Sequence, residues 1–360
     1  MQRLASIVLS VVSLACLTAN ADSLPEFPVN AVWSRDISNA TLYPVDPNSA
    51  AMIAATGGWG NGNAFQIDQS MHVMHVSAAN EASVPMVTVV PDPGGYTDPD
   101  CEPLANLKFP LPAGGAIEGR TNYSCTGDDC HLFVAMDGSK KLYESYLSNV
   151  VNGQLQSGCV IIWDLKKVYP PQGRGEQCTS ADAAGFPMAS LLFNADEVYA
   201  ASQLANGDIG HAIRFILPNA SMAAGTYVHP ASHAGGPSGA ASKIPYGSRL
   251  RLKPTFDVNA FTANVAARVI LRSMQKYGIV LSDGGNIALT AEHDMFTTHK
   301  WAEFGFDEVD TYLEQMLIGV PMTQFEVIRT GPRVTLTYDC DINGNKLTPA
   351  DFIFIDYFDY

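Results

Sequence analysis

Six cysteines lie beyond the first twenty residues, at positions 101, 125, 130, 159, 178 and 340, and they constrain this chain more than any other feature. An even set without CxxC or Cys/His zinc spacing predicts three structural bridges in an oxidising compartment, with fifteen pairings open on paper. Cys125 and Cys130 flank the turn sequence Thr126-Gly127-Asp128-Asp129 and are expected to close a small loop. Cys159 with Cys178, and Cys101 with Cys340, complete the expected set.

The N-terminus agrees with export. Arg3, an apolar run from Ile7 to Leu17 and Ala19-Asn20-Ala21 have the order of a secretory signal peptide over residues 1–21, cleaved after Ala21. Cys16 raises lipoprotein processing as a rival, but Ser13-Leu14-Ala15 fits a lipobox poorly. No other apolar run is long enough to span a bilayer, so the expected mature form has no membrane span and sits outside the cytoplasm, extracellular or periplasmic. A formal charge of −15 disfavours nucleic acid and anionic membranes as partners. The 47% hydrophobic content excludes global disorder.

Hydrophobic periodicity predicts many short strands and a few helices. Residues 65–76 alternate with period two, placing Gln66, Asp68, Ser70 and His72 on one face. His131–Met136 and Lys141–Leu147 form a hairpin around Asp137-Gly138-Ser139-Lys140. Further strands are expected at 159–165, 211–217, 248–253 and 279–281. Helices are expected near 194–204 and over Asn259–Tyr277, and Ser180 is placed as an N-cap. The Gly/Ser/Ala-rich stretch 231–246 reads as a mobile surface loop. No internal repeat or composition shift marks a boundary. The expected layout is one β-rich domain over 22–338, with a C-terminal segment at 339–360. A β-sandwich or jelly roll with inserted helices fits this pattern best. The alternative is an α+β domain with a helix on an antiparallel sheet.

There is no GxSxG, HExxH, P-loop or GxGxxG, so serine hydrolase, zincin, kinase and dinucleotide readings have no motif behind them. What remains are strand faces carrying amides, carboxylates, imidazoles and guanidinia, which suit sugar hydroxyls. Gln66, His72, Tyr143, Tyr146, Arg249 and Arg251 are the expected substrate-binding residues. Glycosidic hydrolysis needs two carboxylates at a fixed separation. Glu144, set among aromatics, and Asp182, at a loop end, are the leading pair, with Asp68, His211 and Arg214 in support. Glu197 is a further well-placed carboxylate. His229 and His233 stand four apart but in a loop, a weak metal pattern. Asp341, Asn343, Asn345 and Asp351 alternate around a turn glycine like a calcium loop of the EF-hand or dockerin type. The glutamate expected at its twelfth position is absent, and an Asx turn capping a helix explains the same residues.

Residues 129–146, 179–185, 211–215 and 246–253, with Lys276-Tyr277-Gly278 to Asp283-Gly284-Gly285-Asn286, resemble a group of uncharacterised secreted bacterial proteins. The resemblance spans roughly residues 28–335. It implies export and a single integrated unit and transfers no catalytic residue. The function expected from the residues is a secreted glycoside hydrolase acting on a polysaccharide, with no cofactor required and Ca²⁺ in a structural role. The alternatives are a polysaccharide lyase using Arg, Tyr and His, and a non-catalytic carbohydrate-binding or cell-surface protein.

Overall fold

A computed structural model describes residues 23–95, 97–125, 129–306 and 315–342. The proposed signal peptide and three of the four expected calcium ligands, Asn343, Asn345 and Asp351, lie outside the described residues. Among the described residues strands predominate over helices and form several mixed sheets, with no closed barrel. Parallel pairs join Val73–Val76 to Leu132–Met136 and Met86–Pro91 to Gln154–Ser157. A jelly roll of antiparallel strands has no such pairs.

Two four-stranded sheets share an apolar cluster. In the first, Leu132, Val134, Met136 and Val160 point into that cluster, where they meet Val89, Phe109 and Leu155 of the second. The alternate residues Phe133, Ile161 and Trp163 enter the larger core on the other side. This first sheet is therefore buried on both faces, which explains why its strands read as continuous apolar runs. The hairpin expected at 131–147 is present, with Leu132–Met136 antiparallel to Lys141–Tyr146.

The six-stranded sheet positions the site. Its order is Ile67–Met71, Leu289–Glu292, Ile213–Leu217, Ile279–Gly284, Arg249–Leu252 and Phe325–Val327. Ile67, Leu289, Phe215 and Leu281 are register neighbours and bury one face in the large core. The helix Val265–Lys276 packs on this sheet and on the helix Ala195–Ser202. The helix expected over 259–277 is broken: Val258–Phe261 ends before Asn264, whose side chain accepts from Ala267 N–H and starts the longer helix. Asn194 caps Ala195–Ser202 in the same way.

Three disulfides form, Cys101–Cys159, Cys125–Cys130 and Cys178–Cys340. The small loop is as expected; the other two pairs are exchanged. Loop length alone does not choose between such pairings, because the choice depends on which strand ends the sheets bring together. Three bridges fit an oxidising compartment. No helix among the described residues is long and apolar enough to cross a membrane.

Candidate functional site

The opposite face of the six-stranded sheet carries a row of polar side chains. Asp68 pairs in register with Thr290, and Arg214 occupies the next strand. A β-bulge completes the row. Between Phe215/Leu281 and Ile216/Asp283 the register slips by one, with Ser282 as the extra residue. In an unbroken ladder Asp283 would face the apolar side; the bulge turns it onto the face of Arg214.

Arg214 is 2% exposed and donates to Asp182 Oδ1 at 2.6 Å and to Thr290 Oγ1 at 2.7 Å. The same Nη2 lies 3.6 Å from Asp283 Oδ2. Two carboxylates thus share one guanidinium nitrogen, and their nearest oxygens stand within about 6 Å of each other. Burial raises both carboxyls against the pull of Arg214, and the Asp283 charge raises Asp182 further. Asp182 is fully buried, whereas the Asp283 side chain keeps 30% of its surface.

Asp182 is held by its loop. The Ser180 hydroxyl donates to Phe186 O at 2.6 Å and accepts from Asp182 N–H at 3.0 Å. Gly185 sits at φ +80°, where a Cβ would come within 2.1 Å of Ser232 Oγ. No helix begins at Ser180; its hydroxyl is spent on the loop itself.

His131 faces this centre from the neighbouring sheet. Its Nδ1 is 2.7 Å from Glu118 Oε2 and its Nε2 is 3.1 Å from Ala181 O. Both partners only accept, so both ring nitrogens carry hydrogen and the ring is an imidazolium. Burial opposes that charge and the Glu118 carboxylate outweighs it, so the pKa is raised. Glu118 also accepts from Ser70 Oγ, and Asp68, raised by burial, feels both Glu118 and Arg214. Tyr146 lies with its ring 5.2 Å from that of His131. Three buried polar atoms here have no protein partner: Asp182 Oδ2, Arg214 Nε and Tyr246 Oη. An enclosed polar group without a partner is costly, and such atoms gathered in one place mark where a water or ligand belongs.

The structure therefore gathers Asp68, Asp182, Arg214 and Tyr146 from the expected set. His72 follows a β-bulge that breaks the alternation between Asp68 and Met71; its Nε2 donates to Arg120 O at 2.9 Å, and burial and His293 lower its pKa to about 4. Glu144 is fully enclosed and accepts from Trp163 Nε1–H and Ala189 N–H, each at 2.8 Å. Burial pushes it up to about 7 against these donors. Its oxygens tie the hairpin to the 188–189 turn and are not presented to a substrate, so its assignment as acid or nucleophile is set aside.

Arg249 and Arg251 were expected on a wet face, and they are buried instead. Arg249 donates to the carbonyls of Val32, Arg35 and Tyr277, and Arg251 pairs with Glu326 at 2.7 Å and bonds the carbonyl of Ile37. They strap the N-terminal stretch over the sheet, and that cover leaves them 6% and 2% exposed. Tyr143 packs its ring 5.6 Å from Phe109, and Gln66 accepts from Asn61 Nδ2 on the surface. His211 bonds Ala212 O and Glu197 beside a separate cavity. The 231–246 stretch is no loose loop: Ala231 to Ala234 are buried, and His233 bonds Ala183 O at 2.8 Å. His229 bonds Glu176 instead, so the two histidines do not converge on one point.

Asp341 is buried, and its N–H donates to Glu176 O. Among the described residues no three His, Cys, Asp or Glu side chains are grouped to hold a metal. Sequence reasoning missed Asp283, Glu118, His131, Thr290 and Tyr246. No family model matches the chain, and no curated protein or solved structure matches it either.

Proposed function

We propose that this chain is a secreted glycoside hydrolase whose reacting pair is Asp182 and Asp283. The observation that carries the reading is the two raised carboxyls on one guanidinium nitrogen, about 6 Å apart or less. That upper bound admits the roughly 5–5.5 Å of a retaining reaction, in which one carboxylate attacks the anomeric carbon. It is short of the roughly 6.5–9.5 Å that leaves room for water in an inverting one. Asp283, the partly exposed member, takes the nucleophile role. Asp182 Oδ2 has no protein partner but is fully enclosed, so Asp182 acts as the general acid only once a substrate seated at Asp283 uncovers that oxygen and takes its proton on the glycosidic oxygen. Arg214 pulls Asp283 toward its ionised form against burial and orients Asp182. Tyr146 offers a ring at the exposed edge for a sugar to lie against. The two four-stranded layers are read as a sandwich supporting this centre, and the 341–351 run as a structural calcium loop.

The lyase reading is weaker on the same geometry. Arg214 is already committed to two carboxylates, so it is not available to neutralise a uronate. Burial, with Asp283 and Asp182 nearby, pushes the Tyr246 phenol far up and away from a base. A binding protein is the second reading, favoured by the enclosure of Asp182 and Arg214, which suits a structural ion network.

The test is a time course on a soluble oligosaccharide cleaved by the purified protein, read by proton NMR at the anomeric centre. The proposal expects retained configuration and loss of turnover in Asp182→Asn and Asp283→Asn. Inversion, or turnover that survives both variants, would remove this pair from the chemistry.

A further inference from the structure

Away from the Arg214 centre, a cavity of about 190 Å³ opens beneath the stretch 24–29, the volume of roughly six waters. Glu26, Ser190, Glu197 and His211 line it, with Phe27 and Trp33 among its apolar walls. Glu197 is third in its helix, where Asn194 fixes the backbone, and its side chain is 8% exposed. His211 lies 3.4 Å from it and bonds Ala212 O through the other ring nitrogen. Both N–H groups of His211 are therefore used within the protein.

The donor and acceptor balance of this lining is one-sided. Two carboxylates offer lone pairs, and His211 has no N–H left to give. Ser190, 7% exposed, has a buried hydroxyl with no protein partner. One imidazolium against two carboxylates leaves the lining with a net negative charge. A neutral sugar needs several donors as well as acceptors, and the side-chain donors left in this lining are the hydroxyls of Ser34 and Ser190 and the Trp33 indole N–H, none of them charged. An ammonium or guanidinium group needs acceptors alone, and its carbon stem can lie against Phe27 and Trp33.

We infer that this cavity binds a small organic cation, a primary ammonium or guanidinium on a short alkyl chain. Its charged end sits between Glu26 and Glu197, and the Ser190 hydroxyl turns its oxygen toward the cation. The site is independent of the Asp182–Asp283 pair and stands whether or not the chain is a hydrolase.

Titration calorimetry of the disulfide-intact protein with agmatine and with n-butylammonium tests it, against n-butanol and methyl β-glucoside. Saturable binding is expected for both cations and for neither neutral probe. Glu26 is on the surface, so Glu26→Gln leaves the fold intact, and it should weaken agmatine about tenfold, as loss of one partly screened charge contact does. Ser190→Leu, which fills the cavity, should abolish binding. Absence of saturable binding by either cation overturns the inference. So does agmatine affinity unchanged in both variants, or methyl β-glucoside binding tighter than agmatine.

Discussion

Replacing Arg214 with methionine is the sharpest perturbation of the centre. The guanidinium is 2% exposed and holds Asp182 at 2.6 Å, Thr290 at 2.7 Å and Asp283 at 3.6 Å. Methionine fills most of its volume and removes its charge, leaving a buried carboxylate with only the more distant His131 imidazolium to oppose it. Breaking such a pair costs about 3–5 kcal/mol near neutral pH. Without Arg214 the carboxyl of Asp182 rises further, so the native state keeps its proton to a higher pH. The penalty of Arg214→Met should then be small at pH 5 and grow as pH rises and the unpaired carboxylate is forced to ionise. Removing the second charge relieves it: Arg214→Met/Asp182→Asn should be more stable than the sum of the single losses by about 2 kcal/mol. Urea unfolding followed by tryptophan fluorescence, with disulfides intact and at pH 5 and 7.5, measures each corner of the cycle. A loss under about 1 kcal/mol that is the same at both pH values, or strict additivity, would show that these charges are not coupled through burial.

Other consequences follow from particular groups. Burial raises Glu292 to about 8 and Glu144 to about 7, from 4.5. A carboxyl raised in the folded state binds a proton there after the unfolded chain has lost it, so stability should fall as pH rises from about 4.5 to 8. Melting temperatures across that window check the sign, and Glu292→Gln should flatten the slope. Cutting Cys178–Cys340, which spans 162 residues, should cost about 5 kcal/mol, against about 2 kcal/mol for Cys125–Cys130, which spans 5, by the chain-entropy relation; paired Cys→Ser variants in urea compare them. Gly185→Ala should destabilise by more than about 1 kcal/mol, since the added methyl meets Ser232 Oγ in a left-handed turn, and Gly185→Ala/Ser232→Gly should recover part of the loss. If the 341–351 run binds calcium, a chelator should lower the melting temperature and added Ca²⁺ should restore it.

The local elements were largely legible because their signals are local. Asn194 ahead of Ala195–Ser202 is a cap, and the 132–146 hairpin is two apolar runs around a turn. The failures are tertiary. Alternation correctly placed Arg249 and Arg251 on one face, but periodicity does not say what covers a face, and the carbonyls of Val32, Arg35 and Ile37 do. Asp283 sits in Ser282-Asp283-Gly284-Gly285, which reads as a turn; it is the end of a strand whose bulge re-aims the side chain. Tyr246 was lost with a Gly/Ser-rich stretch whose composition suggests mobility. Its Ile244–Tyr246 portion forms a buried strand. Asp68, Asp182 and Arg214 were identifiable by residue type, but only the sheet register brings them together.

The most direct measurement is a polysaccharide panel with the purified, disulfide-bonded protein, reading new reducing ends and absorbance near the unsaturated-uronate band in parallel, with Asp182→Asn and Asp283→Asn beside the native chain. Reducing ends without absorbance, lost in both variants, is the predicted result. Reducing ends with absorbance, or cleavage untouched by either substitution, would contradict the assignment of this centre as a hydrolytic carboxylate pair.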